Sequence, residues 1–274
     1  MEIKAFKMDG LGNDFVIIDQ RDQDYQLKKD QIIRICDRNF IGCDQLIFIK
    51  KNDQKNTELE FYNSDGSVSG ACGNGTRCVA DLLSKENRDN EIVLWTSTGP
   101  LKSKILGNNI VETEIGIPKT NWNEIPLSKD LDTKNLNIKI LDKNNSEFIG
   151  GTAINVGNPH IIFFVKNIED YDLKKIGPQI ENHEYFPEKC NLTLAKVINK
   201  NLIKVNVWER GAGLTKACGT AACATAVAGN INGLTDKKTD IEFDLGKLSI
   251  SIDEKNSVHM KGPVSDITNI EINI

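Results

Sequence analysis

The sequence predicts an α/β protein in two parts, both built on one plan. Three observations lead there. The chain has 274 residues, the length of two domains at ~100–200 residues each. It repeats itself at a nearly constant offset. Short strand-like runs alternate with a few helix-like segments, one of them apolar on every side.

The repeat is the strongest of the three. Gly12-Asn13-Asp14-Phe15 resembles Gly157-Asn158-Pro159-His160. Phe61-Tyr62-Asn63-Ser64 lines up with Val207-Trp208-Glu209-Arg210, and Ala71-Cys72-Gly73-Asn74-Gly75 with Ala217-Cys218-Gly219-Thr220-Ala221. The offsets are 145, 146 and 146 residues, in one order. Three matches at one offset make two similar halves, and a fixed long period is the mark of repeated architecture.

The elements follow from residue type. Residues 15–19, 46–49, 59–62, 92–95, 161–165 and 203–208 are short β-branched and aromatic runs and read as strands. Helices are predicted at 28–38, 74–84 and 220–228. The last, Thr220-Ala221-Ala222-Cys223-Ala224-Thr225-Ala226-Val227-Ala228, has no polar face and should be buried all round. An apolar helix among strands points to a helix threaded through a curved sheet. Residues 116–143, rich in Asn, Lys, Pro and Asp, read as a connection.

Composition excludes several classes. Lys plus Arg is 34 and Asp plus Glu is 39, a net charge of −5, which gives no bulk attraction for nucleic acid. No apolar run reaches the ~18–20 residues of a membrane span. The opening Met1-Glu2-Ile3-Lys4 lacks the pattern of an export signal, so a cytoplasmic location is expected. The cysteines number seven and form no C-x-x-C pair, and His160, His183 and His259 are dispersed. A disulfide-stapled domain and a zinc site are both disfavoured. Gly10-Leu11-Gly12 lacks the third glycine and the following helix of a dinucleotide loop.

Both Cys-Gly pairs stand where an irregular segment gives way to a predicted helix. Unpaired N–H groups and the positive end of the helix dipole collect there. Such a site favours the thiolate and is expected to lower the thiol pKa. The N–H groups of Gly73 and Asn74, and of Gly219 and Thr220, could hold a carboxylate. One thiol on each face of a carbon α to that carboxylate would supply an acid and a base for inversion, with no metal, nucleotide or pyridoxal. Asn63 and Glu209 each stand nine residues before a thiol. Arg210 adds a planar fork suited to a second carboxylate, and Glu209 could take an ammonium group or set a thiol's protonation. Cys36, Cys43, Cys78, Cys190 and Cys223 read as small buried hydrophobes.

On these residues the sequence resembles the diaminopimelate epimerases. The likeness runs from Lys7-Met8-Asp9-Gly10-Leu11-Gly12-Asn13-Asp14-Phe15 to Gly262-Pro263. It is carried by Asn63-Ser64-Asp65-Gly66-Ser67, Ala71-Cys72-Gly73-Asn74-Gly75-Thr76-Arg77-Cys78, Gly157-Asn158-Pro159-His160 and the run from Glu209-Arg210-Gly211 to Ala217-Cys218-Gly219-Thr220. Ala221 stands where the family generally has Gly.

The resemblance implies a fold of the α+β type. Two pseudo-symmetric domains would each be a mixed, largely antiparallel sheet curled around a central helix. The division would be 1–117 plus 264–274 against 118–263, with the active site in the cleft between them. Cys72 and Cys218 would be acid and base, with His160 and Glu209 assisting. Gly73, Asn74, Gly219 and Thr220 would hold the reacting carboxylate. Asn13, Gln45, Asn63, Asn158, Asn191, Glu209 and Arg210 would line the substrate site.

The implied activity is interconversion of LL- and meso-2,6-diaminopimelate, a lysine and peptidoglycan precursor, with no cofactor. A cytoplasmic homodimer with a small amino-acid substrate and no nucleic-acid or membrane partner is implied too. Two alternatives stay open: a racemase for another amino acid such as histidine or proline, or a thiol redox protein using Cys72 and Cys218. Facing thiols should also make activity sensitive to air.

Overall fold

In the computed structural model, which describes residues 2–51, 56–70, 72–97 and 99–274, strands β1 (Glu2–Gly10) and β2 (Asn13–Asp19) form an antiparallel hairpin. The turn between them places Leu11 and Gly12 at positive φ. Helix α1 (Lys29–Cys36) follows, then β3 (Gln45–Lys51), β4 (Thr57–Asn63) and β5 (Val68–Ser69). Helix α2 (Gly73–Asn87), β6 (Glu91–Thr96), β7 (Gly99–Ile105) and β8 (Ile110–Gly116) complete this stretch.

β2 runs parallel to β3, β3 antiparallel to β4, and β4 parallel to β6. The unbroken apolar runs of β2 and β3 have a simple cause. Phe15 and Ile17, with Ile47 and Ile49, face a core that includes Val79 and Leu83 of α2. Val16 and Ile18, with Leu46 and Phe48, face a second core that includes Ile32 and Ile35 of α1. A strand covered on both faces loses its polar alternation. Each such side chain removed from water stabilises the fold by about 1.5–3 kcal/mol before entropy is charged.

The next stretch repeats this order. It contains β9 (Ile138–Leu141), β10 (Glu147–Gly150), β11 (Thr152–Asn155), β12 (Pro159–Phe164) and helix α3 (Leu173–Glu181). Then come β13 (Asn191–Asn199), β14 (Leu202–Glu209), β15 (Gly213–Thr215), helix α4 (Gly219–Ile231), β16 (Lys238–Phe243) and β17 (Gly246–Ile252). β12 is parallel to β13, β13 antiparallel to β14, and β14 parallel to β16, the same sequence of pairings as β2, β3, β4 and β6. β18 (Val258–Pro263) and β19 (Thr268–Asn273) end the chain, and β19 pairs with β1. The fold is mixed α+β and dominated by sheet.

Two units result: Met1–Glu114 with Lys261–Ile274, and Ile115–Met260. In the first, α2 packs on β1, β2, β6 and β7; in the second, α4 packs on β11, β12, β13, β16 and β17. Residues 221–229 of α4 are all buried. With strands on every side, a helix of small apolar residues needs no polar face. Among the described residues no helix is long and apolar enough to cross a membrane.

The connection is not wholly irregular. Its end forms β9, which pairs with β10. Helix α3 was not foreseen, because Gly177-Pro178 reads as a breaker. It forms because Asp172 caps it, accepting from Lys174 N–H at 3.0 Å, and because Leu173, Ile176 and Ile180 bury one face.

Candidate active site

Each unit carries a cysteine at the mouth of its buried helix. Cys72 is the N-cap of α2, with φ −140° and ψ 109°; Cys218 is the N-cap of α4, with φ −138° and ψ 115°. Gly75 N–H donates to Cys72 Sγ at 3.5 Å, and Ala221 N–H donates to Cys218 Sγ at 3.4 Å. The sulfur thus does the work of an Asp or Ser cap oxygen. Thr76 N–H goes to the Cys72 carbonyl and Ala222 N–H to the Cys218 carbonyl. The N–H groups just ahead, of Gly73 and Asn74 and of Gly219 and Thr220, are those a helix start presents to an anion.

In the first unit, register gathers the polar residues. Phe15 pairs with Gln45 and Gln45 with Asn63, so Asn13, Gln45 and Asn63 lie at one end of three adjacent strands. Gln45 Nε2 donates to Asn63 Oδ1 at 2.9 Å, and Asn63 Nδ2 donates to Ser67 Oγ at 3.0 Å. Asn13 Oδ1 lies 3.7 Å from Cys72 Sγ and accepts from Asn74 Nδ2 at 3.3 Å. Among the described residues the buried side-chain oxygens of Gln45 and Asn74 meet no partner, two acceptors an ammonium or hydroxyl could use.

In the second unit, Glu209 ends β14. It accepts a hydrogen bond from the Thr215 hydroxyl and one from the Cys218 thiol. Thr220 Oγ1 lies 3.3 Å from Cys218 Sγ. The Cys218 thiol is pushed well above its ordinary pKa, by burial first and then by the Glu209 charge. The lowering expected of a helix N-terminus is therefore overturned at Cys218. The helix start still contributes, through Ala221 N–H and the Thr220 hydroxyl, but desolvation beside a carboxylate is larger.

Asn191 fixes the residues around it. Its Oδ1 accepts Arg210 N–H at 2.9 Å, and its Nδ2 donates to the Pro159 carbonyl at 3.1 Å. His160 is fully buried, with Nε2 2.8 Å from Asn158 Oδ1 and 3.4 Å from Asn191 Nδ2. Burial, with the Arg210 charge a lesser cause, drives its pKa down to about 3, so the imidazole is neutral. Its buried Nδ1 meets no partner among the described residues. As an N–H, Nε2 donates to Asn158 Oδ1, and Asn191 Nδ2 is then a neighbour at 3.4 Å. Arg210 is exposed, and its Nη1 donates to the Glu188 carbonyl at 2.6 Å.

Two supporting residues escaped sequence reasoning. Glu181 of α3 accepts from Trp208 Nε1 at 2.8 Å and from Gly211 N–H at 3.2 Å, so it clamps the turn that carries Glu209 and Arg210. Asp44 accepts from Asn13 Nδ2 at 3.0 Å. Neither has a local signature, because each acts across strands or elements.

The comparisons with known proteins bear on the same segments. The family model for diaminopimelate epimerase matches residues 5–120 and 152–267. The chain belongs to the diaminopimelate epimerase family. It is 76% identical to the diaminopimelate epimerase of Pelagibacter ubique over 274 residues, covering 100% of both chains. It is 40% identical to that of Acidiphilium cryptum over 260 residues, covering 94% of this chain and 92% of the other. A solved structure from Pseudomonas aeruginosa, described as a predicted epimerase, superposes with a TM-score of 0.70 at 13% identity, covering 99% of each chain. That last likeness concerns the fold alone. Both Cys-Gly helix starts lie inside the matched segments of the family.

Proposed function

We propose that this protein interconverts LL- and meso-2,6-diaminopimelate by moving a proton at one α-carbon, with Cys72 and Cys218 as the acid–base pair. The observation that carries the reading is the duplicated helix start. Two cysteines, in matched backbone geometry, each take the i+3 N–H on sulfur ahead of a buried helix. Membership of the family supports it.

The chemistry follows from that geometry. The N–H groups of Gly73, Asn74, Gly219 and Thr220 hold the substrate carboxylate and stabilise the charge that grows on it as the α-proton leaves. Cys218, held protonated by burial and Glu209, is the donor in the state described. With Cys218 the donor, Cys72 is the base, and the Gly75 N–H gives its sulfur one donor. After the forward step Cys72 carries the α-proton and Cys218 is the thiolate, so the reverse reaction runs with the two roles exchanged. His160 acts as a neutral group that orders Asn158 and Asn191, and Asn191 in turn sets the Arg210 backbone. Arg210 and Glu209 receive the charged far end of the substrate, with Asn13, Gln45, Asn63 and Asn158 completing its contacts. We read the protein further as a cytoplasmic homodimer, a reading that rests on family likeness.

The test is incubation with LL-diaminopimelate in deuterium oxide. The expected result is formation of the meso isomer with deuterium at the inverted carbon, without added cofactor. Absence of both inversion and exchange in reduced, folded protein would overturn the proposal. Exchange with histidine or proline at a higher kcat/KM than with diaminopimelate would overturn the substrate.

A further inference from the structure

We propose that Asp44 is a positioning residue that locks the Asn13 side-chain amide so that its oxygen, not its nitrogen, faces the Cys72 sulfur. The inference deepens the function proposed above and rests on it only for its consequence in catalysis.

The orientation of an asparagine amide is settled by its neighbours. Asn13 has three: the Asp44 carboxylate 3.0 Å from Nδ2, and Asn74 Nδ2 and Cys72 Sγ at 3.3 and 3.7 Å from Oδ1. A carboxylate only accepts, so it demands the NH2 group. With that end fixed, the Asn13 oxygen is the group that meets the Asn74 amide nitrogen, which donates to it. Cys72 is left facing a carbonyl, which can accept from a thiol and can give nothing to a thiolate. Were the amide turned over, its NH2 would face sulfur and favour the thiolate. The proton affinity of Cys72 therefore depends on which way Asn13 points.

Asp44 is itself held in place. The parallel register of β2 and β3 sets it beside Asp14. Its N–H donates to the Asp14 carbonyl at 3.0 Å and to Asp14 Oδ1 at 3.1 Å, and its Oδ2 also accepts from Asp14 N–H at 3.2 Å. Arg38 bridges the pair, with Nη2 2.6 Å from Asp44 Oδ1 and Nη1 2.6 Å from Asp14 Oδ2, and Lys7 Nζ lies 3.7 Å from Asp14. These charges face Asn13 from β1, β2 and the loop before β3. On α2 the charged groups are Arg77, Asp81, Lys85 and Glu86; Lys85 pairs with Asp81 and Glu86 with Arg21, while Arg77 and Asp81, with Asp9, act on Cys78. No other acceptor-only group is recorded on the Asn13 amide nitrogen among the described residues.

The test follows the rate of Cys72 alkylation by iodoacetamide against pH, read on the Cys72 peptide by mass spectrometry. Asp44→Ala should move the midpoint down by about one pH unit, the scale of one hydrogen bond lost or gained by a charged group. It should also lower kcat about tenfold while KM changes less. Asp44→Asn keeps the shape and should give a smaller shift in the same direction. Loss of the Asp44 charge alone would also lower the midpoint, so the deciding measurement is a double-mutant cycle with Asn13→Ala. Acting through Asn13, Asp44→Ala has a clearly smaller effect in that background, the part left to its charge.

An equal shift in the Asn13→Ala background, or an unmoved profile in both Asp44 variants, overturns the inference. A shift that obeys the cycle in a protein unable to exchange the α-proton of diaminopimelate leaves this inference standing and removes the proposed function. Full epimerisation with unmoved profiles does the reverse.

Discussion

The Cys218 thiol donates a hydrogen bond to the Glu209 carboxylate, and the two residues come from the start of α4 and the end of β14. Burial and that carboxylate act together to keep the proton on sulfur. Glu209→Gln removes the charge and leaves an amide of the same shape. The Cys218 thiol should then titrate at lower pH, and its alkylation at pH 8 should quicken several-fold. Epimerisation should fall at least tenfold, since the charge that helps keep the donor proton on Cys218 is lost. Peptide-resolved labelling and the deuterium assay check the two halves.

Replacing either thiol tests the pair directly. Cys72→Ala and Cys218→Ala should each lower kcat by about 10²–10⁴-fold, the range for one positioned acid or base. Cys72 is only partly buried, so its loss should change stability by less than about 1 kcal/mol, measured by urea unfolding. Turnover close to wild type in either variant would remove that cysteine from the reaction.

Arg210→Ala should act on binding. The side chain is exposed and its guanidinium rests on a backbone carbonyl, so the fold loses little. KM for diaminopimelate should rise by about 10–100-fold, the worth of a charge-assisted contact, while kcat changes much less. Steady-state kinetics across a concentration series decides it.

Gly177 of α3 lies directly on the Trp208 ring. A Cβ there would stand 2.3 Å from Trp208 Cδ2. Gly177→Ala should therefore destabilise the protein by about 1–3 kcal/mol through overpacking. Because Trp208 adjoins Glu209, the part that still folds should also lose activity. Denaturant unfolding and kcat per folded molecule measure the two effects.

Stability against pH should carry the mark of His160. Its folded pKa of about 3 lies below the unfolded value near 6.5, so the unfolded chain binds the extra proton. Stability is whole above pH 6.5 and falls as the pH drops through that value, by up to about 1.4 kcal/mol per pH unit. The half-exposed His183 shares this window with the same sign. His160→Gln should flatten this limb in calorimetric scans. At the other end, Cys78, Cys190 and Cys218 are held protonated by burial. Their sign is opposite: stability is whole below the unfolded thiol pKa and declines as the pH climbs past it.

Much of the plan was readable because its signals are local. The apolar runs of β2, β3, β4, β6, β12 and β14 and the cores of α1, α2 and α4 stand in the chain as residue type and period. α3 was hidden because Gly177-Pro178 argues against a helix, and only the fit of Gly177 against Trp208 shows why glycine is there. β16 and β17 alternate polar and apolar residues, a weaker local signal than an unbroken apolar run. Among the site residues, the asparagines taken one at a time read as turns. The register of β2 with β3, and of β3 with β4, is what assembles Asn13, Gln45 and Asn63.

By itself the sequence determined the duplication, the family, and the placing of a Cys-Gly pair at the start of a helix in each half. All of these are relations between neighbours along the chain, or between the chain and a shifted copy of itself. Tertiary structure alone decided that Cys218 holds its proton, that His160 is neutral, and that Asp44 governs the face Asn13 turns to Cys72. Proton affinity depends on how much water is removed and which charges close in, and amide orientation on partners some thirty or sixty residues away. Neither quantity exists until the strands are in register.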